Sequence, residues 1–262
     1  MAVAVGLSAA AQADLVTGFE DYNASAAGIV LTGQQGWTLP AGSVDHKVFT
    51  YAGNTFNFPQ NPQGGNNFIA GQSQGATTGY ARAEHPHDFS AGGPWLFTFD
   101  MAGQYNGALP AQDFLGSFSC QPSATNRYFQ TLNIWNDNNS PTVFHSNYVT
   151  NENAAPGISP GPAWANLTPN HWYRQQTLID FTTNLIVQVS IQDLTAGTDP
   201  SVVNPTGWHL NLPTGPLPTA VRFFAGGATG GNTMGWDNLS VVPEPAGVLL
   251  IGLGVVALLR RR

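Results

Sequence analysis

The sequence predicts an all-β protein, an antiparallel β-sandwich followed by a single hydrophobic helix at the C-terminus. First, apolar residues recur at every second position in several short runs, which is the period of a half-buried strand. Second, clusters of Gly, Pro and Asn separate these runs and predict turns and long loops. Third, 15 Phe, 7 Trp and 7 Tyr oppose the disorder that so much Gly and Pro would otherwise suggest, because disordered chains lack aromatic residues.

The alternating runs supply the predicted strands, and each has one apolar face. The faces of the three longest runs are Trp95, Phe97 and Phe99; Phe114, Gly116, Phe118 and Cys120; and Leu185, Val187, Val189 and Ile191. No internal repeat and no long linker divides the chain, so we predict one sandwich domain over residues 14–242.

The N-terminus resembles the end of a secretory signal. Residues 1–13 are apolar and end in Ala11-Gln12-Ala13, the small-x-small pattern of a signal-peptidase site. Cleavage before Asp14 is therefore expected. The segment is short and has no basic region, so we interpret it as a signal-peptide remnant.

The negative charge of the chain argues against nucleic acid as a partner. The formal net charge is -7, and removing residues 243–262 leaves five cations against 14 anions. An acidic surface repels phosphate backbones, so nucleic-acid binding is disfavoured. The single cysteine, Cys120, cannot form an intramolecular disulfide and is predicted to be a small buried apolar residue.

The C-terminal residues predict a marginal membrane anchor. Residues 246–259 are uncharged and mostly apolar, and as a helix they would extend about 21 Å. A bilayer core is about 30 Å thick. Arg260, Arg261 and Arg262 follow and would stay on the cytoplasmic side of an inner membrane.

This tail resembles a known sorting signal. Pro243-Glu244-Pro245, the short apolar segment and the terminal arginines are similar to the PEP-CTERM signal. The resemblance implies a Gram-negative bacterium, with signal peptidase and exosortase as partners. It also implies cleavage near the Pro-Glu-Pro motif after transient inner-membrane anchoring, and delivery to the cell surface or exopolysaccharide matrix, the setting of a biofilm.

The body resembles a second group of proteins more weakly. Gly18-Phe19-Glu20-Asp21 as an opening strand, Asp237-Asn238-Leu239-Ser240-Val241 as a closing strand and Asn170-His171-Trp172-Tyr173-Arg174 look like parts of carbohydrate-binding modules and laminin-G-like or concanavalin-A-like domains. The resemblance implies a jelly-roll sandwich whose first and last strands lie side by side.

Carboxylates on these terminal strands suggest a structural calcium ion. Glu20 and Asp237 match by position, and Asp21 and Asp45 are further candidate ligands, because calcium takes six to eight hard oxygen ligands. The alternative is that Glu20 and Asp237 are strand-end residues that accept hydrogen bonds from backbone amides.

Two tryptophans are candidates for carbohydrate binding. Trp164 and Trp208 lie in loops rich in Pro and Gly, where exposed rings could stack on the apolar faces of sugars. The alternative is that these rings pack internally, since a tryptophan buries a large area.

No motif makes a strong case for an enzyme. Gly71-Gln72-Ser73-Gln74-Gly75 matches the nucleophile elbow of esterases, but a poor helix former follows it. Paired carboxylates of a glycoside hydrolase have no recognisable spacing here. We therefore predict a non-enzymatic exported surface or matrix protein that binds polysaccharide. The alternatives are a structural or adhesive surface protein and a secreted glycoside or ester hydrolase.

Overall fold

The computed structural model describes residues 14–75, 79–105, 113–121, 123–135, 142–153, 157–228 and 230–244. The predicted signal segment 1–13 and the predicted helix 246–259 with its three arginines lie outside these residues. Within the described ranges the regular structure consists of strands and one short 3-10 helix, Pro162–Trp164, without any α-helix. No helix in this part of the chain has the length and apolarity that a membrane crossing requires.

The strands are numbered in chain order. Their bounds are β1 Leu15–Thr17, β2 Ile29–Val30, β3 Val44–Asp45, β4 Lys47–Thr50, β5 Asn67–Gln72, β6 Ala81–Pro86, β7 Pro94–Gln104, β8 Asp113–Ser119, β9 Gln130–Trp135, β10 Phe144–Val149, β11 Tyr173–Asp180, β12 Leu185–Asp193, β13 Ser201–Val203, β14 Ala220–Ala225 and β15 Thr233–Pro243.

The larger sheet has the order β13-β12-β11-β7-β15-β5-β4-β2, and β1 pairs with the end of β15. Leu15 lies opposite Val241 and Thr17 opposite Leu239 in an antiparallel register. The predicted adjacency of the first and last strands is therefore confirmed. The prediction of an opening strand at Gly18 to Asp21 was wrong, because β1 ends at Thr17 and Phe19 has a left-handed φ of 62° that starts a turn.

The smaller sheet has the order β10-β9-β8-β14-β6-β3. All of its pairs are antiparallel except β3 with β6, which is parallel. The two sheets pack face to face, so the predicted all-β sandwich is confirmed.

The main core lies between the sheets and is built from the inward faces of their strands. Trp95, Phe97 and Phe99 of β7 are fully buried there, as their alternation predicts. Cys120 also lies in this core, where burial raises the pKa of its thiol to about 12. A free thiol in this environment behaves as a small apolar residue.

A second apolar cluster covers part of the outer face of the larger sheet. Loop 51–66 folds back over this face, and Phe58 from the loop packs against Phe68 and Trp172 with ring centroids 5.7 and 5.9 Å away. The Trp172 indole donates a hydrogen bond to the Pro59 carbonyl at 2.8 Å. The loop thus covers this part of the larger sheet, and a pocket of about 480 Å³ remains beside it, lined by Thr55, Gln72 and Gln104 among others. Two further pockets open on the outer face of the smaller sheet.

A register shift in β8 places one aromatic ring on that outer face. The pairing of β8 with β9 shifts between Phe114 and Gly116. As a result Leu115 and Phe118 both enter the main core, while Phe114 points outward and is 41% exposed. The prediction that Phe114 shares the apolar face of Phe118 was therefore wrong, because a bulge reverses the alternation at this point.

Candidate ligand-binding groove

Four neighbouring strands of the smaller sheet carry polar and aromatic side chains on its outer face. Side chains alternate across a strand, so the antiparallel register of β6, β14, β8 and β9 brings one set of residues together. These residues are Arg82, Glu84, Ser117, Ser119, Gln130, Arg222 and Phe224.

The first of two adjoining pockets on this face, the aromatic pocket, has a volume of about 510 Å³. Three of the residues that line it are aromatic, and the others include one cation and one carboxylate. Its lining side chains include Tyr80, Phe114, Phe224, Arg82, Asp113 and Ile134.

The second pocket, the arginine pocket, has a volume of about 160 Å³. It shares Arg82 and Phe224 with the aromatic pocket, and its other side chains are polar or cationic. They are Ser117, Ser119, Gln121, Gln130 and Arg222. Because the two pockets share two residues, they form one surface depression, which we call the outer groove.

Arg82 lies at the junction of the two pockets. Its guanidinium carbon is 5.8 Å from the centroid of the Tyr80 ring and 5.5 Å from that of Phe224, which is the range of a cation–π contact. Its Nη1 donates a hydrogen bond to the Ser43 hydroxyl at 3.3 Å. Burial, followed by the positive charge of Arg222, lowers the pKa of Arg82. The charges of Tyr80 and Glu84 act in the opposite direction but do not outweigh these two effects. The two rings and the Ser43 hydroxyl hold the guanidinium in place.

Arg222 is held by an acidic partner. Its Nε donates to Glu84 Oε1 at 2.6 Å, and its Nη2 contacts the same oxygen. Next to it, the Gln130 amide donates to the Ser117 hydroxyl at 3.0 Å. The arginine pocket thus has fixed donors on one wall and an ion pair on the other.

Asp113 is the carboxylate of the aromatic pocket, and protein donors surround it. Its Oδ1 accepts hydrogen bonds from the Ala228 and Phe114 amides at 2.8 and 2.9 Å, and its Oδ2 accepts one from the Asn232 side chain at 2.9 Å. These bonds tie the start of β8 to the loop between β14 and β15. Asp113 therefore shapes the pocket wall.

The two tryptophans predicted to bind sugar lie elsewhere. Trp164, in the short 3-10 helix, is 1% exposed and packs in the main core, so its ring cannot stack on a ligand. Trp208 is half-buried against the same core, with its ring 6.0 Å from that of Tyr148. It is not among the residues that line the outer groove.

Glu20, one of the predicted calcium ligands, is engaged by backbone amides. Its Oε1 accepts hydrogen bonds from the amides of Asn66 and Asn67 at 2.8 and 3.0 Å. Asp21 is exposed in the turn after β1, and Asp45 lies on β3 at the edge of the smaller sheet. The four predicted ligands are thus distributed over both sheets.

Asp237, the other main calcium candidate, lies in a buried hydrogen-bond network. Its Oδ2 accepts from the Tyr51 hydroxyl at 2.9 Å and from the Asn61 amide at 3.2 Å, and its Oδ1 accepts from the Asn238 amide at 2.8 Å. No group of three or more His, Cys, Asp or Glu side chains suited to a metal exists among the described residues. Because protein donors already engage these oxygens, the residues do not fit a calcium ion shared by Glu20 and Asp237.

Asp100 lies directly opposite Asp237 in the β7–β15 register, and both side chains are fully buried. Arg174 donates to both oxygens of Asp100, from Nε at 2.8 Å and from Nη2 at 3.0 Å. Burial and, to a smaller extent, the charge of Asp100 raise the pKa of Asp237 to about 7, against the hydrogen bonds from Tyr51 and Asn238. Arg174 therefore compensates Asp100, whereas neutral donors hold the neighbouring Asp237.

The nucleophile-elbow match is a structural turn. Ser73 is buried, its hydroxyl donates to the Gly227 carbonyl at 3.1 Å, and it accepts from the Gly75 amide at 3.1 Å. Its hydroxyl thus joins the end of β5 to the loop after β14, which gives it a structural role.

The sequence analysis missed the residues of the outer groove. One signal was present: in the run Val221-Arg222-Phe223-Phe224, alternation places Arg222 and Phe224 on one face. That Arg82 lies beside them depends on the pairing of β14 with β6, strands separated by more than a hundred residues.

Comparison with known proteins identifies the C-terminal segment. Residues 241–262 match the PEP-CTERM protein-sorting motif. The sequence-based recognition of this motif is therefore confirmed, and the motif implies an exported protein that is processed by the exosortase machinery. No curated protein matches the chain significantly.

Several solved structures resemble the sandwich at low identity. An alginate lyase from Chlorella virus has a TM-score of 0.39 and 8% identity over 68% of this chain and 85% of that chain. A carbohydrate esterase from the Shiga toxin-encoding bacteriophage phi24B has a TM-score of 0.48 and 13% identity over 80% and 91%. Lectin II from Ulex europaeus has a TM-score of 0.43 and 11% identity over 67% and 86%. At these values the resemblance carries no argument about ligand or reaction.

Proposed function

We propose that this exported protein binds an extended polysaccharide in the outer groove. The sorting motif supports export, and we place the mature protein on the cell surface or in the exopolysaccharide matrix of a Gram-negative bacterium. The single observation that carries the binding proposal is the outer groove itself, in which an exposed aromatic ring adjoins a row of fixed hydrogen-bond donors.

The chemistry of the groove suits a sugar chain. Sugar rings have apolar faces that pack on aromatic rings, and their hydroxyls need polar partners, which is the general composition of a ligand site. Phe114 and Tyr80 supply rings in the aromatic pocket, while Gln130 and Ser117 supply donors and acceptors in the arginine pocket. The two pockets adjoin through Arg82 and Phe224, so neighbouring sugar units of one chain can occupy them in turn.

Phe114→Ala tests the groove directly. Because Phe114 is 41% exposed, its removal should leave the core and the melting temperature nearly unchanged. Losing an aromatic anchor of a binding site should weaken binding about 5- to 30-fold. Affinity electrophoresis through gels that contain individual soluble polysaccharides would measure the change.

Ile29→Ala is the matched control, since Ile29 on edge strand β2 is an apolar side chain of similar exposure at 40%. It should leave binding unchanged. Equal retention of wild type, Phe114→Ala and Ile29→Ala in gels that retard the wild type would reject the outer groove as the site. If no polysaccharide retards the wild type, the structural or adhesive alternative is favoured. If a retained polymer is shortened on incubation, the protein is an enzyme and the non-enzymatic prediction is wrong.

The C-terminal motif makes a separate prediction about processing. Pro243 is the last residue of β15, and the Glu244 amide still donates to the Pro94 carbonyl at 2.9 Å. Cleavage near the motif would therefore remove only the last pairing of β15 with the start of β7 and leave the rest of the sheet paired. Mass spectrometry of the exported protein should find a chain that ends near Val242, without residues 246–262. An exported chain that retains these residues would contradict transient anchoring.

A further inference from the structure

The arginine pocket brings two guanidinium groups together on a strongly acidic domain. The residues before the sorting motif include only five cations, and Arg82 and Arg222 both line this one pocket. They lie diagonally across β6 and β14, because Arg222 pairs with Glu84 and Phe224 pairs with Arg82. The two charges are close enough for Arg222 to lower the pKa of Arg82. An anion between them would relieve this repulsion.

The two arginines differ in how far their charges are compensated. Arg222 has Glu84 as its ion-pair partner. In the part of the chain that the structure describes, the Arg82 side chain makes one hydrogen bond, to the neutral Ser43 hydroxyl. A guanidinium has five N–H donors, so Arg82 keeps several for a ligand. Its contacts with Tyr80 and Phe224 fix its position. The charge of Glu84, which Arg222 already engages, raises the pKa of Arg82 less than burial and Arg222 lower it, so the guanidinium is compensated only in part.

The acidic groups that face the groove do not occupy the arginine pocket. Asp113 lines the aromatic pocket and is tied to Ala228 and Asn232. Glu84 lies beside Arg222 and accepts its hydrogen bonds. More distant carboxylates oppose an anion only weakly at physiological ionic strength, because the Debye length there is about 8 Å. The attraction between Arg82 and an anion in direct contact with it therefore decides whether the arginine pocket prefers a charged or a neutral substituent.

We propose that the arginine pocket is an anion subsite that binds the carboxylate of an acidic polysaccharide, so that the ligand of the outer groove is a polyuronate. This inference rests on the proposed function. The planar guanidinium of Arg82 matches a carboxylate through two parallel hydrogen bonds. The pocket volume of about 160 Å³ suits one charged substituent, while the larger aromatic pocket takes the neighbouring sugar ring.

The test compares polymers that differ only in charge. The full-length chain, kept in solution with a non-ionic detergent, is titrated with polymannuronate, polyguluronate, polygalacturonate and polyglucuronate, and with the carboxyl-reduced form of each. At least one polyuronate should bind about tenfold or more tightly than its reduced form, the usual effect of a hydrogen bond to a charged group. Arg82→Gln should abolish this preference, and Arg82→Lys should restore only part of it, because lysine lacks the planar fork.

Lys47→Gln is the matched control, because it removes one positive charge from an exposed position on β4 of the larger sheet. It should keep the preference for the polyuronate. Gln130→Glu is a second, nearly isosteric variant that places a carboxylate in the arginine pocket while Arg82 stays in place. It should weaken polyuronate binding to a similar extent, and thermal unfolding would verify that each variant is folded.

The outcomes separate this inference from the proposed function. One outcome is that reduced polymers bind as tightly as polyuronates, that Phe114→Ala weakens binding and that Arg82→Gln does not. This outcome would keep the outer groove as a glycan site and reject the anion subsite. A second outcome is that the protein binds dextran sulfate more tightly than every polyuronate and that Arg82→Gln removes this binding. The anion would then be sulfate, and the carboxylate proposal would be overturned. Failure to bind any polymer, charged or reduced, would reject both.

Discussion

Replacing Arg174 by methionine is expected to lower the free energy of unfolding by about 3 kcal/mol, the scale for breaking one side of a buried ion pair. Arg174 donates to both oxygens of Asp100, whose side chain is fully buried. Methionine fills similar space but donates no hydrogen bond. The Asp100 carboxylate would then lie beside Asp237 without a cation and would keep only the amide donors of Asn61 and Asn238. Urea unfolding at pH 7 would measure the loss.

A double variant shows whether the loss comes from the unpaired charge. In Asp100→Asn/Arg174→Met the buried carboxylate is absent, so the double variant should be more stable than Arg174→Met alone. Comparing the wild type, Asp100→Asn, Arg174→Met and the double variant gives a coupling energy that isolates the interaction between the two residues. A loss below about 1 kcal/mol, the scale of an exposed ion pair, would show that solvent reaches Asp100.

The second large effect is the pH dependence that Asp237 gives to stability. Burial raises the pKa of Asp237 from 3.8 to about 7. Between these values the folded protein keeps a proton that the unfolded chain releases, so the free energy of unfolding falls as pH rises. At 1.36 kcal/mol per pKa unit, the full contribution reaches about 4 kcal/mol. It is complete below about pH 4 and lost above about pH 7.

The change is measured as a difference between two proteins. In Asp237→Asn the group does not titrate, so the stability of wild type relative to Asp237→Asn should fall steadily from pH 4 to pH 7. Asp21→Asn, which removes an exposed carboxylate, is the matched control for the loss of one acidic residue. Parallel pH profiles for wild type and Asp237→Asn would mean that Asp237 is ionised in the folded protein throughout this range.

Both predictions concern the network beneath loop 51–66, and this network engages Asp237, one of the carboxylates proposed as calcium ligands, with donors from the protein. The sequence showed an acidic residue at each end of the domain, Glu20 and Asp237, but not what lies between them. Tyr51 and Asn61 from the loop reach Asp237, and Arg174 from β11 reaches Asp100. Donors from the protein itself engage the oxygens that a metal would need. Such partners come from distant segments and leave no local pattern.

Local sequence did determine the fold class and the export signal. Alternation along β7 placed Trp95, Phe97 and Phe99 in the main core, because side chains of a regular strand must point to opposite faces. The sorting motif is a linear segment at residues 241–262 and can be read without folding. Its Pro-Glu-Pro core and terminal arginines act through their order along the chain.

Tertiary structure alone decided which residues line the outer groove. Alternation assigned Phe114 to the apolar face of Phe118, but the register shift before Gly116 turns Phe114 outward. A bulge of this kind is fixed by pairing with β9, which no local period encodes. In the same way, Arg82 and Arg222 lie far apart in sequence and become neighbours only through the pairing of β6 with β14. The sequence thus determined the sandwich and the export signal, and long-range strand register decided which residues line the outer groove.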